Sequence, residues 1–484
     1  MVVLAAVHAP LGVDDLEKLV EKALSLGASY AEARYHSLGG HQVGIMNGRV
    51  FAAGTTMLSG VAVRVIVDGG LGFASTNRLT RDSLERVVAE AVSAARLSAS
   101  TVKKSPVKMD DSPQGTARYS VYEKEPLSSI ELADKIALIQ ERVKSADLSY
   151  EGIEVKGLTV FYEELTEEKV LVTSDGGMVE ARIPRVSIFY NITAKNGSET
   201  RNRFYHIAWS GGLEGLDRED LREALEDDVR SLGIALVKAR KGPKGEVDVV
   251  LSPELAGIAV HESIGHPSEA DRILGREAAQ AGLSYWREYK VGDRLGSEAS
   301  TVIDDPTIPG TFGFYLYDDE AVPARPRYLL LEGRIWEMLQ NRETAAVYGV
   351  RSNGAARARD YKSEPIVRMA NTYFAPGDYT FEELVEDVKE GVYIKKFMEW
   401  NIDDYRWGAR YVGLEAYEIR NGRLGDPLKD VVLEITSPRF YSSVDAAARD
   451  LKLYPGFCGK GEPMQGVPVT MGGPHIRLRG VVVR

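Results

Sequence analysis

Residues 60–75, GVAVRVIVDGGLGFAS, read as two alternating strands joined at Asp68-Gly69-Gly70. A tight glycine turn between alternating runs joins strands that pair antiparallel. Upstream, AEARYHS (31–37) alternates in the same way, and Asn47-Gly48 supplies a second hairpin turn. Helical patterns flank these strands. Leu16, Leu19, Val20, Ala23 and Leu24 share one face of a helix expected to start after Asp14 and to end at Gly27. Leu84, Val87, Val88, Ala91, Val92 and Ala95 stripe a second helix, with Thr80 as its cap. The first hundred residues thus read α-β-β-β-β-α.

Farther along, residues 101–120 are polar and aperiodic, which predicts a loop or linker. A third helix follows a capping box at Ser128 and Glu131. Strands are expected from about Ile153 to Trp209, with turns at Asp175-Gly176-Gly177 and Asn196-Gly197. A charged helix is expected from about Asp217 to Ala239. Patterning stops and restarts across KGPKGE (241–246), which predicts two domains, 1–242 and 243–484.

The second half is strand-rich: EVDVVLS, STVIDD, FGFYLY, RYLLLEGRIWEM, RYVGLEAYEIRNGRL and VVLEIT. Helices interrupt it near Ser252, near Thr380 (with Glu383 completing a capping box) and near Ser442. Strands and helices mix without a βαβ rhythm, so the predicted class is α+β with largely antiparallel sheets. No glycine-rich turn has the G-x-G-x-x-G or G-x-x-x-x-G-K context of a nucleotide site.

Composition narrows the function classes. The chain has 484 residues, 27% of them charged and 44% hydrophobic, and reads as a globular protein with sizeable cores. Its formal charge of −11 argues against nucleic acid as a partner. A single cysteine excludes an intrachain disulfide framework and favours a reducing compartment. No apolar run approaches the ~18 residues that span a bilayer, and the start lacks the pattern of a signal peptide. A cytoplasmic location is the expectation.

One segment carries chemistry: LSPELAGIAVHESIGHPSEAD, residues 251–271. Ser252 caps a helix and Pro253 takes its first position. His261, Glu262 and His266 follow. Two neutral imidazoles can hold a zinc ion while leaving positions open for water and a carbonyl, and a nearby carboxylate can take the water's proton. The five-residue spacing separates the rings by about 140° on a regular helix. Gly265 tolerates unusual backbone angles, and Pro267 disfavours helical geometry at His266. The expectation is that His266 leaves the helix and folds back towards His261; a π-type widening is the other route.

A third ligand should be soft or acidic. Cys458, in LYPGFCGKGEPMQG (453–466), is presented by a glycine-rich loop in this reading, although a lone cysteine is commonly just a small buried hydrophobe. Glu269 and Asp271 compete for the same place, or orient the histidines as acceptors. His475 could donate to an oxyanion. Arg368, Asn371 and Thr372 could bind peptide backbone or simply belong to an edge strand. His8, His36, His41 and His206 have no partner pattern and read as structural.

HESIGHPSEAD (261–271) resembles the H-E-x-x-x-H motif of the TldD/PmbA family of zinc metallopeptidases, in its TldD-type members. The resemblance extends in order along the chain, from GASYAEARY, NGRV and residues 60–80 through residues 302–324, RETAA, PIVRMANTYFAPG, EAYEIRNGRL and residues 450–474. It implies that His261, His266 and Cys458 are the ligands of one zinc ion and that Glu262 is the catalytic base. It also implies a curved, strand-rich wall around the metal-site helix and unfolded or extended peptides as substrates. The implied partner is a PmbA-type paralogue lacking the metal motif, in a heterodimer, or a second copy of the chain. Two further readings compete: a deformylase-like hydrolase of small amides, and a zinc-stabilised regulatory protein of the kind the family's older label, gyrase modulator, describes. Iron or cobalt could occupy the same ligands. One stretch departs from the family pattern. EWNIDDYRWGARYVG (399–413) replaces smaller, glycine-rich residues, and its bulk is expected to reshape the cleft.

Overall fold

The computed structural model describes residues 2–3, 9–101, 106–218 and 220–484. His8 lies outside the described residues.

The first part of the chain builds an eight-stranded sheet in the order Val2–Val3, Thr116–Val121, Met178–Asn196, Glu154–Thr173, Tyr30–Met46, Arg49–Val67, Gly70–Thr76, with Glu199–Ser210 added beside Met178–Asn196. Both predicted hairpin turns form. Asn47 and Gly48 (φ 49° and 78°) and Asp68 and Gly69 (φ 49° and 77°) adopt the left-handed pairs that match strand twist. Helices α1 (Val13–Ser25) and α2 (Arg81–Ala99) lay their predicted stripes on this sheet, except for Leu24, which is exposed near the end of α1; Leu16, Leu19, Val87 and Val88 pack against Ala33, Val61, Val63 and Val65. Helices α3 (Leu132–Ser145) and α4 (Leu221–Gly233) cover another part of it through Ile139, Val143, Leu225 and Val229.

Boundaries differ from expectation in places. Leu127–Ser129 forms a separate 3-10 turn and Ile130 is extended, so α3 is capped at Glu131, not at Ser128. The charged helix splits into a 3-10 turn at Leu213–Asp217, α4 behind an Asp220 cap, and a π turn at Ile234–Lys238. Thr116–Val121, at the end of the expected linker, joins the sheet in parallel with Met178–Asn196.

A second eight-stranded sheet comprises Glu390–Ile402, Gly245–Leu251, Ile476–Val483, Val432–Thr436, Gly408–Arg420, Arg423–Lys429 and Arg240–Lys241, with Val444–Ala447 paired to Ile476–Val483. Additional pairing of Glu390–Ile402 with Gly408–Arg420 curls it into a barrel. A six-stranded sheet follows the order Arg334–Ile335, Arg327–Leu331, Val302–Asp304, Asn371–Phe374, Gln465–Gly473, Lys452–Lys460. The α+β class holds, with most pairings antiparallel. No described helix is long and apolar enough to cross a membrane.

Three readings are corrected. The segment between α1 and α2 holds three strands, not four, because Arg49–Val67 runs unbroken from one turn to the next. FGFYLY is not a strand; Phe314 and Tyr315 hydrogen-bond to Thr311 and Pro306 in turns. Its apolar side chains bury against Tyr119, Leu171 and Val179 of the first sheet, so tertiary packing accounts for its hydrophobicity. The helix expected near Ser442 instead spans Ser437–Ser443, with Thr436 as N-cap and Pro438 in its first turn.

Helix α5 (Pro253–Val260) leaves the strand Gly245–Leu251 after the predicted cap, where Ser252 Oγ accepts from the Leu255 amide at 3.4 Å. It packs backbone to backbone on the six-stranded sheet. A Cβ on Gly257 would stand 2.8 Å from Gly472 N and Cα. That approach aligns the end of α5 with the hairpin formed by Lys452–Lys460 and Gln465–Gly473.

Candidate metal centre

Helix α5 continues into a π turn over His261–Gly265, and His266 N–H donates to the His261 carbonyl five residues back. This wider turn brings positions five apart onto one face. His266 stays helical (φ −62°, ψ −43°), and so does Gly265 (φ −53°, ψ −64°). The expected departure of His266 from the helix is therefore corrected in favour of the widening. Gly265 is needed for space: a Cβ there would overlap the Met369 sulfur. Tyr285 Oη donates to the Ser263 carbonyl at 2.8 Å inside the π turn, and Ser263 Oγ lies 2.8 Å from Tyr441 Oη.

The two imidazoles face each other edge-on with centroids 4.9 Å apart. Cys458 arrives on the strand Lys452–Lys460, not on a loop, and its Sγ lies 3.3 Å from His266 Nε2. One potential ligand atom from each of His261, His266 and Cys458 fits within 4.8 Å of the others, and all three residues are buried. Burial alone would raise the thiol's pKa, but His266, Arg368 and His261 reverse the sign and favour thiolate. Burial likewise opposes protonation of His261, and the charge on Cys458 outweighs it. His261 Nδ1 is buried without a hydrogen-bond partner among the described residues. Two imidazoles, a favoured thiolate and an unsatisfied ring nitrogen suit a zinc ion.

Glu269 and Asp271 support the cluster from behind. Glu269 Oε2 lies 3.0 Å from His266 Nδ1, 3.1 Å from Arg272 Nε and 3.3 Å from Lys460 Nζ. Burial would raise its pKa, but Lys460, His266 and Arg272 hold it well below the ordinary range. Asp271 binds Lys460 Nζ at 2.6 Å. Glu262 is clamped at Oε2 by Arg406 Nη1. Burial again opposes its charge, yet Arg406 and the two histidines bring its pKa down to about 2.

Several of these partners were not singled out from sequence. Lys460 lies two residues beyond Cys458 on one strand face, and Arg272 lies one helical turn beyond Glu269, so both left a periodic signal. Arg406 left none except its place in the unusual stretch 399–413. Its φ of 58° is a left-handed conformation uncommon for such a side chain, and Ser437 Oγ fixes its carbonyl at 2.8 Å. Arg368 is fully buried and donates to the Cys458 and Gln465 carbonyls, so it holds the cysteine strand. Asn371 and Thr372 lie in an interior strand, not at an edge, and hydrogen-bond Asp305 and Asp304. His475 sits in a neighbouring polar cavity between Asp450 (2.6 Å) and Tyr393 (3.0 Å). His36 pairs with Glu167, His41 with Thr55 and His206 with Ser187.

Residues 31–95, 125–237 and 244–484 match, respectively, domain 1, the central domain and the C-terminal domain of PmbA/TldA metallopeptidases. A metalloprotease of Methanocaldococcus jannaschii is 34% identical over 97% of this chain and 99% of its own length. The chain belongs to the PmbA/TldD metallopeptidase family. A metalloprotease of Methanothermobacter thermautotrophicus is 33% identical over 94% of this chain and 95% of its own length. A zinc metalloprotease TldD homolog of Saccharolobus solfataricus is 27% identical over 96% and 99%. The PmbA/TldD fold recurs in TldE from Thermococcus kodakarensis, with a TM-score of 0.74 at 16% identity over 96% of this chain and 99% of that one. It recurs also in a putative modulator of DNA gyrase from Thermotoga maritima, with a TM-score of 0.77 at 19% identity over 97% and 99%.

Proposed function

We propose that this chain is a zinc-dependent peptidase that hydrolyses extended or unfolded peptides. The observation that carries the reading is the convergence of His261, His266 and Cys458 within 4.8 Å beside a cavity that Glu262 and His261 both line. Those three side chains would hold one zinc ion, which when bound polarises a peptide carbonyl and acidifies water. Glu262, ionised well below neutrality, accepts the water's proton on its carboxylate and returns it to the leaving amine. Arg406 occupies Oε2, and no described residue donates to Oε1, which leaves that oxygen as the proton acceptor. Glu269 fixes the His266 ring through Nδ1, leaving Nε2 directed at the thiol.

The partner is proposed to be a paralogue of the PmbA or TldE kind, or a second copy. Shared family membership supports this. The test of the peptidase reading is E262Q, assayed on a disordered peptide with zinc content measured in parallel. Activity should fall at least ~100-fold, in line with loss of general base catalysis, with one zinc retained per chain. Undiminished cleavage would remove Glu262 from the role.

A further inference from the structure

Beside the ligand cluster lies a cavity of about 330 Å³, within the range of small-ligand pockets. Its wall is aromatic. Phe204 stands 6.0 Å from both Phe397 and Trp400, and Phe397 and Trp400 meet edge-on at 5.6 Å. Phe189 stacks outside Phe204 at 6.2 Å. On the other side Phe457, next to Cys458, lies flat on His206 at 5.7 Å and 19°. Phe457 is 53% exposed and Phe189 36%, so the lining is open to a ligand. His261 and Glu262 form part of the same lining.

Trp400 belongs to the stretch 399–413 whose bulk departs from the family pattern, and Phe397 precedes it on the same strand. Both carboxylates of the cavity are already engaged: Glu254 holds Arg203 at 2.8 and 3.0 Å, and Glu262 holds Arg406. His206 places Nε2 2.7 Å from Ser187 Oγ. Each carboxylate of the cavity is thus already paired with an arginine, and most of the remaining lining is apolar, which disfavours a lysine or arginine side chain.

We propose that this cavity is a specificity pocket, taking a bulky aromatic or branched aliphatic side chain of the peptide next to the scissile bond. The proposal rests on the peptidase reading for its substrate. A peptide whose carbonyl faces His261 and Glu262 has a flanking side chain beside the aromatic wall, where burial of apolar area stabilises binding. A pocket of this kind discriminates by roughly tenfold or more for a large side chain over glycine.

Two measurements test it. In the first, zinc-loaded protein cuts a library of disordered peptides with one varied position, and mass spectrometry gives the residues flanking each cut. Phenylalanine, leucine and tryptophan should be favoured over glycine by ~10-fold or more at one flanking position, and Trp400→Ala and Phe189→Ala should shrink that ratio to a few-fold. The ratio is internal to each variant, so partial misfolding cancels. In the second, calorimetry on metal-free protein compares a blocked pentapeptide containing phenylalanine with its glycine analogue; the first should bind ~10-fold more tightly, and less so in Trp400→Ala. A flat profile, a preference for lysine or arginine, or a preference untouched by both substitutions overturns the pocket. If no peptide is cut at all, the peptidase reading falls, and the calorimetric difference alone decides the pocket.

Discussion

His266 and Glu269 form the hinge between the candidate ligand set and its support: Nδ1 lies 3.0 Å from the carboxylate while Nε2 of the same ring lies 3.3 Å from Cys458 Sγ. A carboxylate behind a ligating imidazole fixes its tautomer and raises its basicity. Glu269→Gln keeps the shape but removes the charge that also neutralises Arg272 and Lys460. Zinc affinity, read by competition with a chromophoric chelator, should drop ~10–100-fold. Unchanged affinity with an intact fold would show that Glu269 serves packing alone.

The pair Arg406–Glu262 makes a second prediction, on stability. Removing one partner of a largely buried ion pair strands the other charge, at a cost of about 3 kcal/mol. Arg406→Ala should lower the urea unfolding free energy by that order. Glu262→Gln should cost less, because the amide can still accept from the guanidinium. In the double variant the stranded carboxylate is gone, so the two losses should fall short of adding by ~1 kcal/mol or more. Strict additivity would mean that the pair is not coupled in solution.

Glycine positions distinguish two kinds of close contact. At Gly257 a methyl group would meet the backbone of Gly472 at 2.8 Å, with backbone on both sides and nothing flexible to yield. At Gly265 its three nearest atoms would all belong to the Met369 side chain, which is adaptable. Gly257→Ala should therefore destabilise by ~1–3 kcal/mol or more and weaken zinc binding by lifting α5 off the sheet. Gly265→Ala should cost less, and shortening Met369 should restore part of it. Gly157→Ala, with open space around its Cβ, serves as the neutral control. The ordering of melting temperatures is the check, and a reversed order would contradict the packing argument.

These contacts also show what the amino-acid order discloses. The stripes of α1 and α2 and the left-handed turns at Asn47-Gly48 and Asp68-Gly69 depend on neighbours within a few residues, and apart from the exposed Leu24 they form as read. His261, Glu262, His266 and Cys458 were recognisable by type, and the structure gathers the two imidazoles and the thiol. The π widening stood in the sequence as one of two routes to that gathering, but the choice between them did not. A π turn reflects the packing of Met369 against Gly265 and the Tyr285 hydroxyl on the Ser263 carbonyl, both set by tertiary structure. FGFYLY misleads for the same reason, since its aromatics fill a core shared with the first sheet. Arg406 is the extreme case: nothing local to it or to Glu262 announces their pairing.

The last prediction concerns pH. His206 is packed against Phe457, Phe189 and Phe312, and burial lowers its pKa from 6.5 to about 4, only slightly offset by a backbone contact at Pro455. In the unfolded chain the ring titrates near 6.5, so between pH 6.5 and 4 the unfolded state binds the extra proton and the folded state does not. Stability from this group is thus complete above about pH 6.5, declines as pH falls, and levels off below about 4. The ring is only half-buried, so solvent screening reduces the effect to about 1 kcal/mol between pH 7 and pH 5. His206→Gln removes the titration while retaining a partner for Ser187. Urea unfolding of both proteins at the two pH values should show the wild type losing about 1 kcal/mol more than the variant. Equal losses would place His206 in water in solution, and the wall it shares with Phe457 would have to be open there.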